Sequence, residues 1–336
     1  MLRKAGFDKK SAFITTFGSI FVGLIGATYG TNNVNSFKTY IEYYIENPIK
    51  MDMSIRFGIL AITYVAFNFF NVLNLKKSLK SKKNDETKED PFAVEEPKQK
   101  NVKGWPIITL LAIVFIFAII GYAGWDKNFG IKIFSDIHKK LVELKIGDYT
   151  IISYILGNLP VLGEWDIFTI SALMGVITIV AAIIYRVSFD DFIDGIISGM
   201  TKMFKPVAIM VFSYVVFGLV YLTPIIPTIL NNILTTEFKV FQVALSGITS
   251  SFFVQDIGFI SYQMSQFFIT AYATKLDTLV LIYGVTSGFV QIFAPTSGLL
   301  LLGLSYSKVS YKDWIKYILK FLLVMIVIIS IILATL

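Results

Sequence analysis

Ala294-Pro295-Thr296-Ser297-Gly298 sits in the middle of a stretch, Thr278 to Ser307, that carries no charge. The stretch is apolar enough to cross a bilayer, yet its centre holds a helix breaker and two hydroxyls. In lipid an unpaired backbone group is costly, so irregular backbone persists only where it lines a cavity or is buried in protein. Secondary transporters build substrate and ion sites from such broken helices. Thr296, Ser297 and the Gly298 backbone are therefore candidate substrate ligands. A Pro-kinked helix, or a short loop between two helices, would use the same residues without a ligand.

Two further polar clusters have the same chemistry. Thr249, Ser250 and Ser251 lie near the junction of two short apolar runs, Val240–Gln255 and Ile257–Thr274, which meet at Asp256. These runs of 16 and 18 residues fall short of the roughly 20 residues a spanning helix needs. They predict a re-entrant hairpin over about 240–274 with a small polar tip. The third cluster, Gly30-Thr31-Asn32-Asn33-Val34-Asn35-Ser36, follows directly on the apolar run 11–29 and offers Thr31, Asn32, Asn33 and Asn35. Half-helix N-termini attract a carboxylate, and unwound carbonyls and hydroxyls coordinate sodium. Asp256, an ionisable group between two apolar runs, is a candidate for the coupling ion. Each of these residues also suits ordinary hydrogen bonding between membrane helices. No Lys or Arg falls inside the charge-free core runs, of which the second begins at Phe57 just after Arg56, so a bound carboxylate is expected to rely on dipoles, hydroxyls and a co-bound cation.

The elements that position these clusters follow from composition. Of 336 residues, 55% are hydrophobic and 16% charged, and the mean hydropathy is +0.69. The expected fold is all-α: a polytopic integral membrane protein of the inverted-repeat transporter type, with a re-entrant hairpin and broken helices. Spans are predicted at 11–29, 56–75, 105–124, 167–185, 206–222 and 314–333, with the broken helix at about 278–307. Residues 189–204 read as a separate amphipathic helix along the interface. Glu164 and Asp166 stand where acids suit a helix start. Residues 76–103 combine many lysines with acids and two prolines and lack apolar periodicity, which predicts a disordered cytoplasmic linker. It separates residues 1–75, the end of a first repeat, from a second repeat at 104–336. Lys and Arg near the start place the N-terminus in the cytoplasm too, and no cleavable signal peptide is expected there. The lone His138 reads as a loop residue.

The net charge of +7 is explained by these loops and does not indicate nucleic acid. With no cysteine and no paired carboxylates, histidine or nucleotide-binding loop in the core runs, the chain is not expected to be an enzyme. No catalytic residues and no metal beyond sodium are expected.

Several stretches carry a family resemblance. They include Ala5-Gly6-Phe7-Asp8-Lys9 leading to Gly30–Phe37, Lys103-Gly104-Trp105-Pro106, Leu162-Gly163-Glu164-Trp165, Asp190–Lys202, and above all Pro295-Thr296-Ser297-Gly298 with Tyr311-Lys312-Asp313-Trp314. In this order they resemble the YfcC-like, C4-dicarboxylate anaerobic carrier-like permeases of the ion transporter superfamily, over nearly the whole chain. Members of that family are longer at the N-terminal end, so the resemblance implies that this chain begins after the first hairpin. The second hairpin tip departs from the family's glycine-rich pattern, reading Thr249-Ser250-Ser251-Phe252-Phe253-Val254-Gln255. The resemblance implies secondary transport of a small carboxylate or amino acid across the bacterial plasma membrane, coupled to sodium or protons or run as exchange. Basic amino-acid antiport is among the activities it allows. The expected partners are the lipid bilayer, the substrate, and a homo-oligomer or a partner chain supplying the missing first hairpin. The competing expectation is a membrane subunit, split-gene half or degenerate paralogue that does not transport alone.

Overall fold

A computed structural model describes residues 9–26, 32–80, 104–145, 150, 153 and 160–335. Among these residues all regular structure is helical. The expectations for the cytoplasmic N-terminus, for most of 76–103 and for Thr31 fall outside the described residues.

Two compact units form, Met1–Ala93 with Thr201–Leu336, and Val94–Met200. Residues after 200 group with residues before the linker. Helices of the first unit are α1 (Lys9–Gly26), α2 (Asn32–Glu42) and α3 (Met53–Lys80). The second unit contains α4 (Trp105–Tyr122), α5 (Trp125–Phe129), α6 (Ile133–Val142) and α7 (Ile167–Ile184). Then α8 (Phe189–Tyr221) runs across the boundary. The first unit resumes with α9 (Ile225–Ile233), α10 (Val240–Phe253), α11 (Ile257–Tyr272), α12 (Leu276–Val290), α13 (Gly298–Tyr306) and α14 (Tyr311–Ala334).

Among the described residues, four segments are long and apolar enough to cross a membrane: Met53–Lys77, Trp105–Tyr122, Ile257–Val290 and Tyr311–Ala334. The apolar helices Phe168–Ile184 and Val240–Phe253 are shorter. Two expectations are corrected. The separate elements expected at 189–204 and 206–222 are one helix, Phe189–Tyr221, with Pro206 inside it. Proline removes one backbone donor, and membrane helices tolerate that loss. His138 lies in helix α6, not in a loop.

In the second unit the Gly163-Glu164-Trp165 motif closes onto the end of α4. The amides of Gly163 and Trp165 both donate to the Gly121 carbonyl, at 2.9 and 3.0 Å. Gly163 has φ +107°, which only glycine adopts without strain. Asp166 caps α7 by accepting from the Thr169 amide at 2.8 Å and its hydroxyl at 2.7 Å. These two donors hold the Asp166 carboxyl below the usual carboxylate range.

The first unit is organised by close helix contacts. On α1 and α3, Thr15 pairs with Asn71, Gly18 abuts Phe67 and Gly26 abuts Leu60, so the two helices run antiparallel. Gly288 on α12 abuts the backbone of Leu24 and Ile25. Small residues permit such approaches where the surroundings are as apolar as the side chains. An aromatic core seals α2 against α11 and α12: Phe37 stacks on Tyr283 at 4.8 Å and meets Phe268 at 5.9 Å.

Candidate functional site

The link between α10 and α11, residues 254–256, is where the first unit gathers its polar groups. α10 ends at Phe253 and α11 starts at Ile257, so Val240–Tyr272 is two short helices joined by three residues. Asp256 caps α11 by accepting from the Gly258 amide at 2.9 Å and is exposed.

The second break is real and lies beside this link. α12 stops at Val290 and α13 begins at Gly298. Two hydrogen bonds tie break to link. The Thr296 hydroxyl donates to the Phe252 carbonyl at 2.7 Å. The Gly298 amide donates to Gln255 Oε1 at 3.0 Å. Ser297 caps α13 by accepting from the Leu300 amide at 3.3 Å. Two of the amides at the start of α13 thus have side-chain acceptors. On the other side, two rings from α14 hold the carbonyls freed by the end of α12. Trp314 Nε1 donates to the Ile292 carbonyl at 2.9 Å, and the Tyr311 hydroxyl donates to that of Phe293. This is the structural role of the Tyr311-Lys312-Asp313-Trp314 motif. It also means that these two carbonyls already have ring donors, so fewer unwound carbonyls face a ligand than the break alone suggested.

Among the tip residues, Ser250 is buried and donates to the Gly247 carbonyl at 3.2 Å. Ser251 is 1% exposed, and its hydroxyl has no partner among the described residues. Thr249 is half-buried one turn before the end of α10. The Gln255 side chain, the Phe252 carbonyl and the Tyr311 and Trp314 rings were not foreseen as parts of the site. The signal for Gln255 was its place beside Asp256, between two apolar runs.

The first cluster is arranged differently from expectation. Asn32, Asn33 and Asn35 belong to the opening turn of α2 and are not unwound; Asn35 is exposed. α2 lies parallel to α11, with Ser36 against Gly258 and the Tyr40 and Tyr262 rings 5.5 Å apart. That register puts the first turn of α2 level with the link. The starts of α2, α11 and α13 therefore converge on residues 254–256.

A buried cation was also missed. Arg56, on the first turns of α3, is 1% exposed. The antiparallel register of α1 and α3, 18 with 67 and 26 with 60, places it just past the end of α1. Asp52, four residues earlier, supplies compensating charge. Arg56 stands at the edge of the run predicted as a span, and its burial corrects the expectation that no Lys or Arg enters the core.

A small polar site built from helix starts within an apolar helical chain is the pattern of a membrane carrier. Compared with protein families, residues 51–336 match the family described as C4-dicarboxylate anaerobic carrier. The chain belongs to the C4-dicarboxylate anaerobic carrier family. The comparisons with curated proteins and with solved structures found no match. Membership makes the chain a multi-pass membrane transporter and not an enzyme, as the motifs implied. The matched range of this carrier covers the link, the second break and Arg56, whereas α1 and α2 precede it.

Proposed function

We propose that this carrier moves a small dicarboxylate of the four-carbon class across the bacterial plasma membrane, and that the substrate is drawn to residues 254–256 together with a sodium ion or a proton. The observation that carries this reading is the convergence of three helix starts on the link. Each helix start acts as roughly half a positive charge, so three amount to about +1.5, and the Asp256 carboxylate takes away one. The remaining field suits a dianion poorly until Asp256 is neutralised. Neutralisation by sodium or a proton and binding of a dicarboxylate then favour each other, which is the linkage that symport requires. Thr249, Ser250, Ser251, Thr296, Ser297, Gly298, Thr31, Asn32, Asn33 and Asn35 are proposed ligands around this point. The lysine-rich segments, residues 76–103 among them, favour a cytoplasmic N-terminus and linker.

The test is uptake into proteoliposomes. Labelled succinate, a monocarboxylate, and arginine against internal ornithine are offered under imposed sodium, proton and counter-substrate gradients. Dicarboxylate accumulation under an ion gradient is expected. Arginine–ornithine exchange without dicarboxylate uptake would replace the substrate class. No uptake of any by a folded, inserted chain would point to a subunit that needs a partner chain.

The bonds between link and break give a sharper prediction. Gln255→Leu keeps the volume but leaves the Gly298 amide without its acceptor, which costs about 1–3 kcal/mol for a buried group. Thr296→Val removes the other bond. Each is expected to lower uptake roughly tenfold or more and the thermal midpoint by a few degrees, whereas Gln255→Glu keeps the acceptor, and so the midpoint, but sets a second negative charge beside Asp256 and is expected to weaken dicarboxylate binding. Uptake at wild-type rate in the Gln255→Leu/Thr296→Val double variant would show that the bonds do not hold the site.

A further inference from the structure

A groove between α3 and α14 lies outside the proposed transport site. Its volume is about 790 Å³. Ala61, Val65 and Phe69 of α3 and Val324 of α14 are among its apolar walls, while Lys77 and Lys320 also border it. Phe67 meets Phe321, and Phe70 meets both Tyr317 and Phe321, at 5.3 to 6.0 Å. Rising numbers on α3 therefore match falling numbers on α14. Side chains tilt toward the N-terminus of their own helix. Lys320 thus leans toward the end where Lys77 stands, and Lys77 leans back into the groove. Both lysines are exposed, and neither forms an ion pair among the described residues.

We infer that this groove holds one acyl chain of an anionic phospholipid, with the headgroup phosphate between Lys77 and Lys320. Length supports this. From Ala61 to Leu73 the α3 wall is apolar over roughly 18 Å at 1.5 Å per residue, close to the roughly 15 Å of one leaflet's hydrocarbon. Charge supports it as well. Two lysines without an ion pair among the described residues, beside an apolar groove, are satisfied by a phosphate, and basic pockets between membrane helices select such headgroups.

The test compares lipids of equal chain length on the purified carrier in detergent, by native mass spectrometry and thermal unfolding. Phosphatidylglycerol is expected to bind one to one and to raise the unfolding midpoint, phosphatidylcholine to bind more weakly, and glycerol phosphate to do neither. Lys77→Gln/Lys320→Gln is expected to lower the preference for phosphatidylglycerol roughly fivefold per lysine, with the lipid-free midpoint unchanged. Val65→Trp, which fills the groove, is expected to release both lipids. Equal binding of the two lipids by the wild type, or an unchanged preference in the double variant, would overturn the inference. So would stabilisation by glycerol phosphate alone, or a Val65→Trp variant that breaks a dimer and still retains lipid.

Discussion

Gly288→Val is expected to abolish folding and uptake together. A Cβ at this position would overlap the carbonyl of Leu24 and stand 2.5 Å from the amide nitrogen of Ile25. These are backbone atoms, so no rotamer change can clear them; α1 and α12 must separate. Inserting bulk into a packed interior ordinarily costs about 1–3 kcal/mol, and a clash with backbone belongs at or above the top of that range. The contact also precedes the second break by only a few residues. Separating the two helices therefore shifts the Gln255 and Thr296 bonds as well as the core. Gly288→Ala should show the same effect in milder form. Gly23→Ala, with open space around the new atom, should leave the thermal midpoint within a degree or two. Gly247 offers a contrast, because its obstacle is the side chain of Thr286. Gly247→Ala should therefore be rescued by Thr286→Ala, whereas no side-chain substitution should rescue Gly288→Val. A folded Gly288→Val variant with wild-type uptake would show that α1 and α12 do not need this contact.

How much of this could be read from the sequence depends on the kind of signal. The second break was legible because proline and two hydroxyls interrupt an uncharged run, and the structure ends α12 at Val290 and restarts at Gly298. The short runs on either side of Asp256 were legible by length alone, and they are the helices α10 and α11. Position along the chain says nothing about which ends meet, so the parallel pairing of α2 with α11 was not legible. It rests on packing between Ser36 and Gly258, residues more than two hundred positions apart. The three asparagines were misread as unwound because their polarity resembles a loop. They sit instead in the first turn of a helix, a position where short polar side chains are at home. Pro206 misled in the opposite sense, since a proline that would end a soluble helix is carried within α8. Arg56 was missed because an ionisable residue at the edge of an apolar run looks like a boundary marker, and only the tertiary fold shows that it is enclosed.

Asp256→Asn is expected to separate substrate binding from its driving force. Asparagine retains the oxygen that accepts from the Gly258 amide and is as good a helix cap as aspartate, so α11 should start unchanged. What is lost is one negative charge at the point where three helix starts meet. The local field rises from about +0.5 to about +1.5, which a dianion meets without help from a cation. Dicarboxylate exchange across the membrane should therefore survive, and apparent affinity should become insensitive to sodium and to pH. In the wild type the sign runs the other way: the neutralised form of Asp256 binds the dianion, so affinity rises with sodium, or rises as pH falls if the proton is the coupling ion. Accumulation against a gradient should disappear in the variant, because an ion that no longer binds cannot transmit its gradient. Asp256→Ala would remove the cap as well, at about 1 kcal/mol, and separates loss of charge from loss of helix start. Measurements of counterflow and of gradient-driven uptake on the same proteoliposomes decide the matter. A variant that still concentrates substrate in response to sodium or protons would place the coupling site elsewhere.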